Sequence, residues 1–599
     1  MEQTSPDGDK MTTSKSQIQR FFAGKSIFIT GSTGFLGSVL LEKLLRCCPD
    51  IKRVYLLIRE KKGVDIQQRF KTLVNTKLFC RLQPEFVREK LVFLNGDMTL
   101  PGLGLTESDR NTLKNEVSVV FHSAATTNFG AHLRKAVAIN LQGTEKVLQL
   151  AHEMKNLQAF VYISTAYCNA VVRGIITEDI YPSWLDSDEL VEKMDKMTDA
   201  EISEETERLL GGYPTTYSFT KHMCENLVYK KRKSIPVAVV RPSVSFRAAN
   251  QLDRSSRGFL YVPPVMITQV SGVGRKEPTK LNVKVNLFLS DGLRFDGHGH
   301  TSVFMCSTTT GLTGRFFQQS FDLDGRTLEE PIPGWVENVQ NGGVAFIAGA
   351  GKGIFRTVLG DNNKITDFVP CDMVASLSVA TAWDVAKQGK GSFKVYHCTS
   401  GVENPITLND YCNLTIEKVR QFPCSEVLWY PGAKCRINTM RNFIFVFLFH
   451  LLPGYLIAGW EKLNSKNRPV ISYHKKFIRG MKFLYYFTIR SWHFDTKNTR
   501  KLQSDLCEED KILFNFDVTR INWPKYLEKC VLGVRHFYHG DYPETIEKSR
   551  NLIKLLRIVH YGLYFGLFLF VFYFLHICGV QFWTALAGAA SAFSLIAWL

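Results

Sequence analysis

The segment KSIFITGSTGFLGSVLLEKLL sets Gly31, Gly34 and Gly37 between an apolar strand and an amphipathic helix. The strand reads SIFIT, and the helix from Phe35 to Arg46 carries Leu36, Leu40, Leu41, Leu44 and Leu45 on one face. Glycines alone mark ordinary turns. At this spacing, between these two elements, each has a task. Gly31 permits the tight turn, Gly34 lets backbone approach a pyrophosphate, and Gly37 lets helix and strand pack closely. Thr30, Ser32 and Thr33 add hydroxyls, Phe35 and Leu36 open the helix, and the helix N-terminus supplies positive dipole. Such a start points to an α/β architecture with a dinucleotide at its first turn.

The alternation continues to about Arg241. VYLLI (Val54 to Ile58), LVFLNGD, VSVVFHSAA, AFVYIST and PVAVVRPS read as five further strands. Near-continuous apolar strands separated by helices predict a parallel sheet covered on both faces, hence a Rossmann doubly wound sheet. The residue after the second strand decides the cofactor. A carboxylate there suits the ribose 2′-hydroxyl of NAD, and an arginine suits the 2′-phosphate of NADP. This chain has Arg59, with Glu60 between it and Lys61 and Lys62. Asp97 and Met98 follow the third strand, where a carboxylate can bond the adenine amine. Ser123, Ala124 and Ala125 follow the fourth, where small residues admit the cofactor.

Three Tyr-x-x-x-Lys pairs occur: Tyr217–Lys221, Tyr229–Lys233 and Tyr430–Lys434. The last spans Pro431-Gly432, so no helix holds both side chains together. The second lies in a basic run at a helix end and reads as a solvated face. Tyr217–Lys221 begins a helix and follows a strand ending in Ser164 and Thr165. Four residues apart on a helix, the two side chains share a face, and the ammonium favours the phenolate. This constellation suits carbonyl reduction: Tyr217 as proton donor, Lys221 beside it and on the nicotinamide ribose, and Thr165 or Ser164 steadying the carbonyl oxygen. Asn140 either supports a water path or plays a capping or packing role.

At 599 residues the chain is too long for one ordinary domain. Its net charge of +18 and pI of about 9.2 fit anionic ligands and an anionic membrane surface. No basic-aromatic recognition module is visible, which argues against nucleic acid. The 14 cysteines include no Cys-x-x-Cys pair, as expected of a reducing, cytosol-facing protein without a metal site. The polar N-terminus lacks the apolar core of a secretory signal. Residues 1–22 read as a disordered tail, 23–400 as the reductase domain, and 401–545 as a basic, aromatic helical domain. Within the latter, NFIFVFLFHLLPGYLIAGW is interrupted by His450 and Pro453, and reads as a buried or interfacial helix more readily than as a span. Ile558 to Ile577 is about one membrane thickness of apolar helix, and 582–599 is a second apolar stretch. Lys548, Arg550, Lys554 and Arg557 precede the span, which keeps everything upstream cytosolic.

TGSTGFLG, LLIREKKG, GDMTLPGLGL, STAYCN, YSFTKHMCE, VVRPS, PIPGWVENVQ, GAGKGIFR and DFVPCDMV, in this order, resemble the blocks of the fatty acyl-CoA reductases, within the extended short-chain dehydrogenase group. NPITLNDYCN and FNFDVTRINWPKYLEKCVLGVRHF resemble that family's C-terminal domain, and the hydrophobic tail its membrane-anchored, insect-like members. The resemblance implies reduction of long-chain acyl-CoA to a primary alcohol with two NADPH, by way of an aldehyde. It implies Tyr217 as acid, Lys221 as its partner and Thr165 as oxyanion support. It also implies a lipid bilayer as partner and the endoplasmic reticulum or peroxisome as location; a homo-oligomer is compatible with it. One departure stands out. About 246–325 intervene between RPS and the PIPGW block, and read as a translated intervening sequence or a lid beside the substrate entrance. A catalytically impaired paralogue and a membrane steroid or sugar-nucleotide dehydrogenase are the competing readings.

Overall fold

The computed structural model describes residues 16–60, 63–245, 332–334, 342–452, 455 and 470–598. The stretch expected at 246–325 lies outside the described residues, as do Lys61 and Lys62.

Among the described residues the main sheet has seven parallel strands: β1 (Ser26–Thr30), β2 (Arg53–Ile58), β3 (Leu91–Asn95), β4 (Val117–His122), β5 (Ala159–Ile163), β6 (Val237–Pro242) and β7 (Phe393–Cys398). Their spatial order is β7-β6-β5-β4-β1-β2-β3. The chain winds outward through β2 and β3, then returns to β4 on the other side of β1. Winding therefore reverses between β1 and β4, where Thr30 lies opposite His122. Ligands of such sheets bind beyond the strand C-termini at that switch point.

Alternation along the strands builds two cores. Ile27, Ile29, Leu56, Val119, Phe121, Val161 and Val240 face helix α1 (Phe35–Cys47) and the almost wholly buried α4 (Cys371–Gln388). Phe28, Tyr55, Leu57, Val120, Phe160, Tyr162 and Val239 face α2 (Gly143–Glu153) and α3 (Thr216–Lys231). The first core continues without a break into α5 (Leu408–Gln421) and α7 (Trp523–Gly533). Between these two lies α6 (Val470–Thr488). The helical C-terminal part thus packs on one face of the sheet.

Two expectations change. A seventh strand, FKVYHC, extends the sheet beside β6 with Arg241 opposite His397. The expected disordered tail is wrong from residue 16 onward: Gln17–Phe22 is a helix whose Ile18 and Phe22 are fully buried. Ser16 caps it and donates to the buried carboxylate of Asp510, which also accepts from the Gln17 N–H at 3.0 Å. Two apolar side chains one turn apart and a buried cap partner hold the helix down.

At the chain end α8 (Ile546–Ile577) is 32 residues long, and none of its apolar stretch is buried. Gly579 turns the chain at φ +84°, and α9 (Phe582–Trp598) folds back so that Phe582 meets Phe572 at 5.4 Å.

Candidate active site

The glycine turn follows from close contact. Gly31 sits at φ +79°, and a Cβ there would lie 2.7 Å from the Ala124 nitrogen. At Gly37 a Cβ would lie 2.2 Å from the Gly31 carbonyl oxygen. Gly34 donates to that same carbonyl at 2.9 Å and precedes α1 without any side-chain cap. The N-terminus of α1 therefore presents its positive dipole at the turn, as a pyrophosphate requires. Ser32 adds a buried hydroxyl with no partner among the described residues. Phe35 is buried and Leu36 packs against the core, so both anchor the helix. These features fit a dinucleotide.

At the end of β2, Arg59 bonds Asp97 at 3.0 Å and remains 47% exposed. Burial works against the Asp97 carboxylate, but the Thr99 N–H and hydroxyl and the Arg59 guanidinium hold it below the usual range. A second arginine, not singled out in the sequence, joins them. Arg69 donates to Thr33 Oγ1 at 2.8 Å and to the Arg59 carbonyl. Burial and the neighbouring Arg59 charge lower its pKa. Two crowded guanidiniums beside the glycine turn suit a phosphate, whose charge would relieve their repulsion. Met98 is buried beneath Gly143, where a Cβ would lie 2.9 Å from its Cε.

At the switch point a buried relay fixes the loop after β4. Thr30 Oγ1 lies 2.7 Å from His122 Nδ1, and His122 Nε2 lies 2.9 Å from Thr144 Oγ1. Thr144 in turn donates to the Asn140 carbonyl at 2.5 Å. Thr144 therefore accepts from Nε2–H, and Nδ1 accepts from Thr30. Burial first, then the Lys221 charge, pushes the His122 pKa down to about 3, so the ring is neutral. Ser123 donates to the Thr30 carbonyl at 2.9 Å, and the Ala124 N–H reaches Thr30 Oγ1 at 3.3 Å. Ala125 continues that loop. The Asn140 side chain accepts from the Thr126 N–H at 2.8 Å and donates to Thr220 Oγ1 at 2.9 Å. Asn140 thus ties the loop to α3.

Tyr217 and Lys221 lie one turn apart near the start of α3, capped by Thr215. Lys221 is buried. Its Nζ donates to the Ile163 carbonyl at 2.6 Å and to Tyr162 Oη at 3.2 Å. The ammonium is therefore fixed at the mouth of β5, directly behind Ser164 and Thr165. Thr165 Oγ1 accepts from the Tyr167 N–H at 3.3 Å and lies 3.4 Å from the Pro242 carbonyl. Ser164 is buried; burial works against the nearby Glu225 carboxylate, but the Arg241 guanidinium holds it below its usual range. The partly exposed Tyr217 ring packs 5.7 Å from Phe129, which meets Phe487 of α6 at 6.5 Å. Tyr167 closes on Phe487 at 5.2 Å and Trp492 at 5.4 Å. This aromatic wall joins residues more than 250 positions apart. Beneath it Arg241 and Glu225 form a fully buried ion pair at 2.6 Å.

A nucleotide-binding family model described as male sterility protein matches residues 29–268 and 303–378, and a second model of the same description matches 449–541. Fatty acyl-CoA reductase 1 of Homo sapiens is 30% identical over 550 residues, 91% of this chain and 90% of its own length. The chain belongs to the fatty acyl-CoA reductase family. A Drosophila melanogaster protein named among the same reductases is 31% identical over 97% of this chain and 93% of its own length. Fatty acyl-CoA reductase 2 of Bos taurus is 30% identical, with 92% of each chain covered. Of solved structures, the terminal R domain from the myxalamid PKS-NRPS pathway is similar at TM-score 0.48 and 16% identity, covering 86% of this chain and 91% of that one. The family match breaks over 269–302, inside the stretch 246–325. Membership makes the chain a nicotinamide-dependent, alcohol-forming oxidoreductase.

Proposed function

We propose that the chain reduces long-chain acyl-CoA to the primary alcohol in two NADPH-dependent steps, with an aldehyde retained between them. The carrying observation is the Lys221 ammonium bonded to the Ile163 carbonyl, one turn from Tyr217 and immediately behind Thr165. NADPH, when bound, supplies hydride to the carbonyl carbon. The chain's own groups handle the oxygen. Tyr217 gives its phenolic proton to the developing oxyanion, Lys221 stabilises the phenolate left behind, and Thr165 donates to the same oxygen. In the first step the hemithioacetal hydroxyl returns its proton to the Tyr217 phenolate, the C=O re-forms as the C–S bond breaks, and CoA leaves as the thiolate. In the second, the aldehyde has no comparable leaving group, and protonation gives the alcohol. The wall of Phe129, Tyr167 and Phe487 offers the acyl chain an apolar surface beside Tyr217.

Arg59 and Arg69 would hold the 2′-phosphate, and α8 with α9 would anchor the enzyme in the endoplasmic reticulum or peroxisomal membrane, catalytic part in the cytosol. The test is the full chain in detergent with NADPH and acyl-CoA esters of graded length. Alcohol appearing with two NADPH consumed per acyl group supports the reading. NAD-linked oxidation of a steroid, or cofactor binding with no turnover on any ester, refutes it.

A further inference from the structure

The Thr439–Leu451 helix is largely apolar. Its inner face is accounted for. Asn442, Phe445, Val446 and His450 are buried, and the Asn442 side chain accepts from Thr357 Oγ1 at 2.6 Å. The outer face is Met440, Phe443, Ile444, Phe447 and Leu448, continuing to Leu452. All are exposed, Met440 by 67% and Phe443 by 58%. Half-buried Arg441 sits at the edge of that outer row, one turn before Ile444. A contiguous exposed apolar row of this kind marks a surface that protein or lipid covers. The described stretch Thr439–Leu451 is thirteen residues, about two-thirds of the length needed to cross a bilayer.

Its position selects the occupant. The guanidinium of Arg356 lies 5.3 Å over the Phe449 ring and 5.9 Å over Trp429, and interacts with Tyr564 of α8. Trp429 in turn donates to His560 of α8 at 3.2 Å. One arginine thus joins the short helix to the region where α8 becomes continuously apolar. Around that junction the charge is positive. Arg436 stacks on Phe445 at 3.8 Å, and burial together with the Arg441 and Arg356 charges lowers its pKa to about 10. Lys548, Arg550, Lys554 and Arg557 lead into the apolar part of α8. Apolar side chains beside the start of the apolar stretch of α8, with those four exposed cations leading into it, match a bilayer surface, with acyl chains below and phosphates above.

We infer that Thr439–Leu452 is a second membrane contact: an interfacial helix lying in the cytosolic leaflet beside α8, with Phe443, Phe447 and Leu448 immersed. The inference rests on the proposed membrane anchoring by α8. It gives the enzyme two points of attachment, which would fix the catalytic part relative to the bilayer instead of leaving it on a single swivel.

The test uses the full chain reconstituted in vesicles of phosphatidylcholine with phosphatidylserine. A photoreactive benzophenone amino acid replaces Phe447, Phe570 on the exposed surface of α8, or Ile512 on the exposed Glu508–Leu513 helix, each in a separate preparation. After irradiation, lipid adducts are counted by mass spectrometry. An interfacial helix gives an adduct yield at 447 comparable to that at 570 and about tenfold above that at 512. Lipid adducts at 570 with none above background at 447 overturn the second contact while leaving the anchor in place. Adducts from 447 to another copy of the chain overturn it in favour of a protein interface. An absence of lipid adducts at both 447 and 570 refutes the anchor and the inference together. A second measurement guards against local misfolding: NADPH binding by each labelled protein should match the parent.

Discussion

Arg59→Ala is the most direct perturbation of cofactor choice. A charge-assisted contact to phosphate contributes about 1.5–3 kcal/mol, and a half-exposed guanidinium belongs at the low end of that range. Arg59 is 47% exposed, so the low end applies. Its ion pair with Asp97 contributes at most about 1 kcal/mol and exists before the cofactor arrives, so most of it cancels from the binding difference. About 1.5 kcal/mol corresponds to roughly tenfold weaker NADPH binding. NADH lacks the phosphate and should change by no more than about twofold, the size of a rim effect on a solvated side chain. Arg69→Ala should cost at least as much, because it also releases Thr33 of the glycine turn. The two substitutions should not be additive, since Arg69 donates to the Arg59 backbone. The assay is equilibrium titration of the detergent-solubilised full chain with each cofactor, repeated at higher salt, where the NADPH advantage should shrink. Parallel losses for both cofactors, or an unchanged NADPH:NADH ratio in either variant, would refute the assignment of these arginines to the 2′-phosphate.

Tyr217→Phe should lower turnover by at least about a hundredfold while leaving NADPH affinity within about twofold, as removal of a general acid does. Tyr229→Phe should be nearly silent in the same NADPH oxidation assay, because that ring packs on Phe393 at 5.0 Å on the outer side of α3. Glu178 should make stability pH-dependent. Burial, opposed by hydrogen bonds from the His397 and Asn498 N–H groups and Thr499, raises its pKa to about 7 from 4.5. The fold therefore loses stability as pH climbs through about 4.5 to 7, by up to about 3 kcal/mol. Glu178→Gln should flatten thermal denaturation across that window, and an equally steep profile would exclude Glu178 as the source. Deleting 269–302, where the family match breaks, should preserve NADPH binding and acyl-CoA turnover; lost turnover with intact binding would make the segment a working lid.

The sheet was legible because its strands are buried on both faces. Runs such as VYLLI and VSVVFH have little alternative, and the glycine turn marks which end holds a ligand. The seventh strand escaped because Lys394 and His397 break its apolar run. Lys394 pairs at 3.0 Å with Asp384 on the preceding helix, and His397 touches the carbonyl of Asp495, a partner remote in sequence. Residue spacing could rank the Tyr-x-x-x-Lys pairs, since helical register is a local property. It could not find Arg69, which reaches the cofactor corner from a helix whose orientation only the tertiary fold sets. The polar His122 inside an otherwise apolar strand was a readable signal. Its partners Thr30 and Thr144 come from different elements and could not be inferred from spacing.

The contacts around Tyr217 bear on why this reductase carries a long C-terminal part. Phe483 and Phe487 of α6 face Gly130 and Phe129, and the Tyr486 hydroxyl donates to the Ala170 carbonyl at 2.9 Å. Any Cβ at position 130 would lie 3.1 Å from the Phe483 ring, so the two segments meet closely. At its other side α6 reaches strand Thr357–Leu359, where Thr488 Oγ1 donates to the Leu359 carbonyl at 2.8 Å. Thr357 of the same strand bonds Asn442 on the inner face of the interfacial helix. A packed path therefore runs from Tyr217 through α6 to the side chains proposed to lie in lipid. A substrate whose acyl tail partitions into membranes is best served when its reaction centre and its reservoir are joined by one rigid element. If the proposed membrane contacts hold, the C-terminal half is the part of the chain that brings the Rossmann reductase within reach of a lipid.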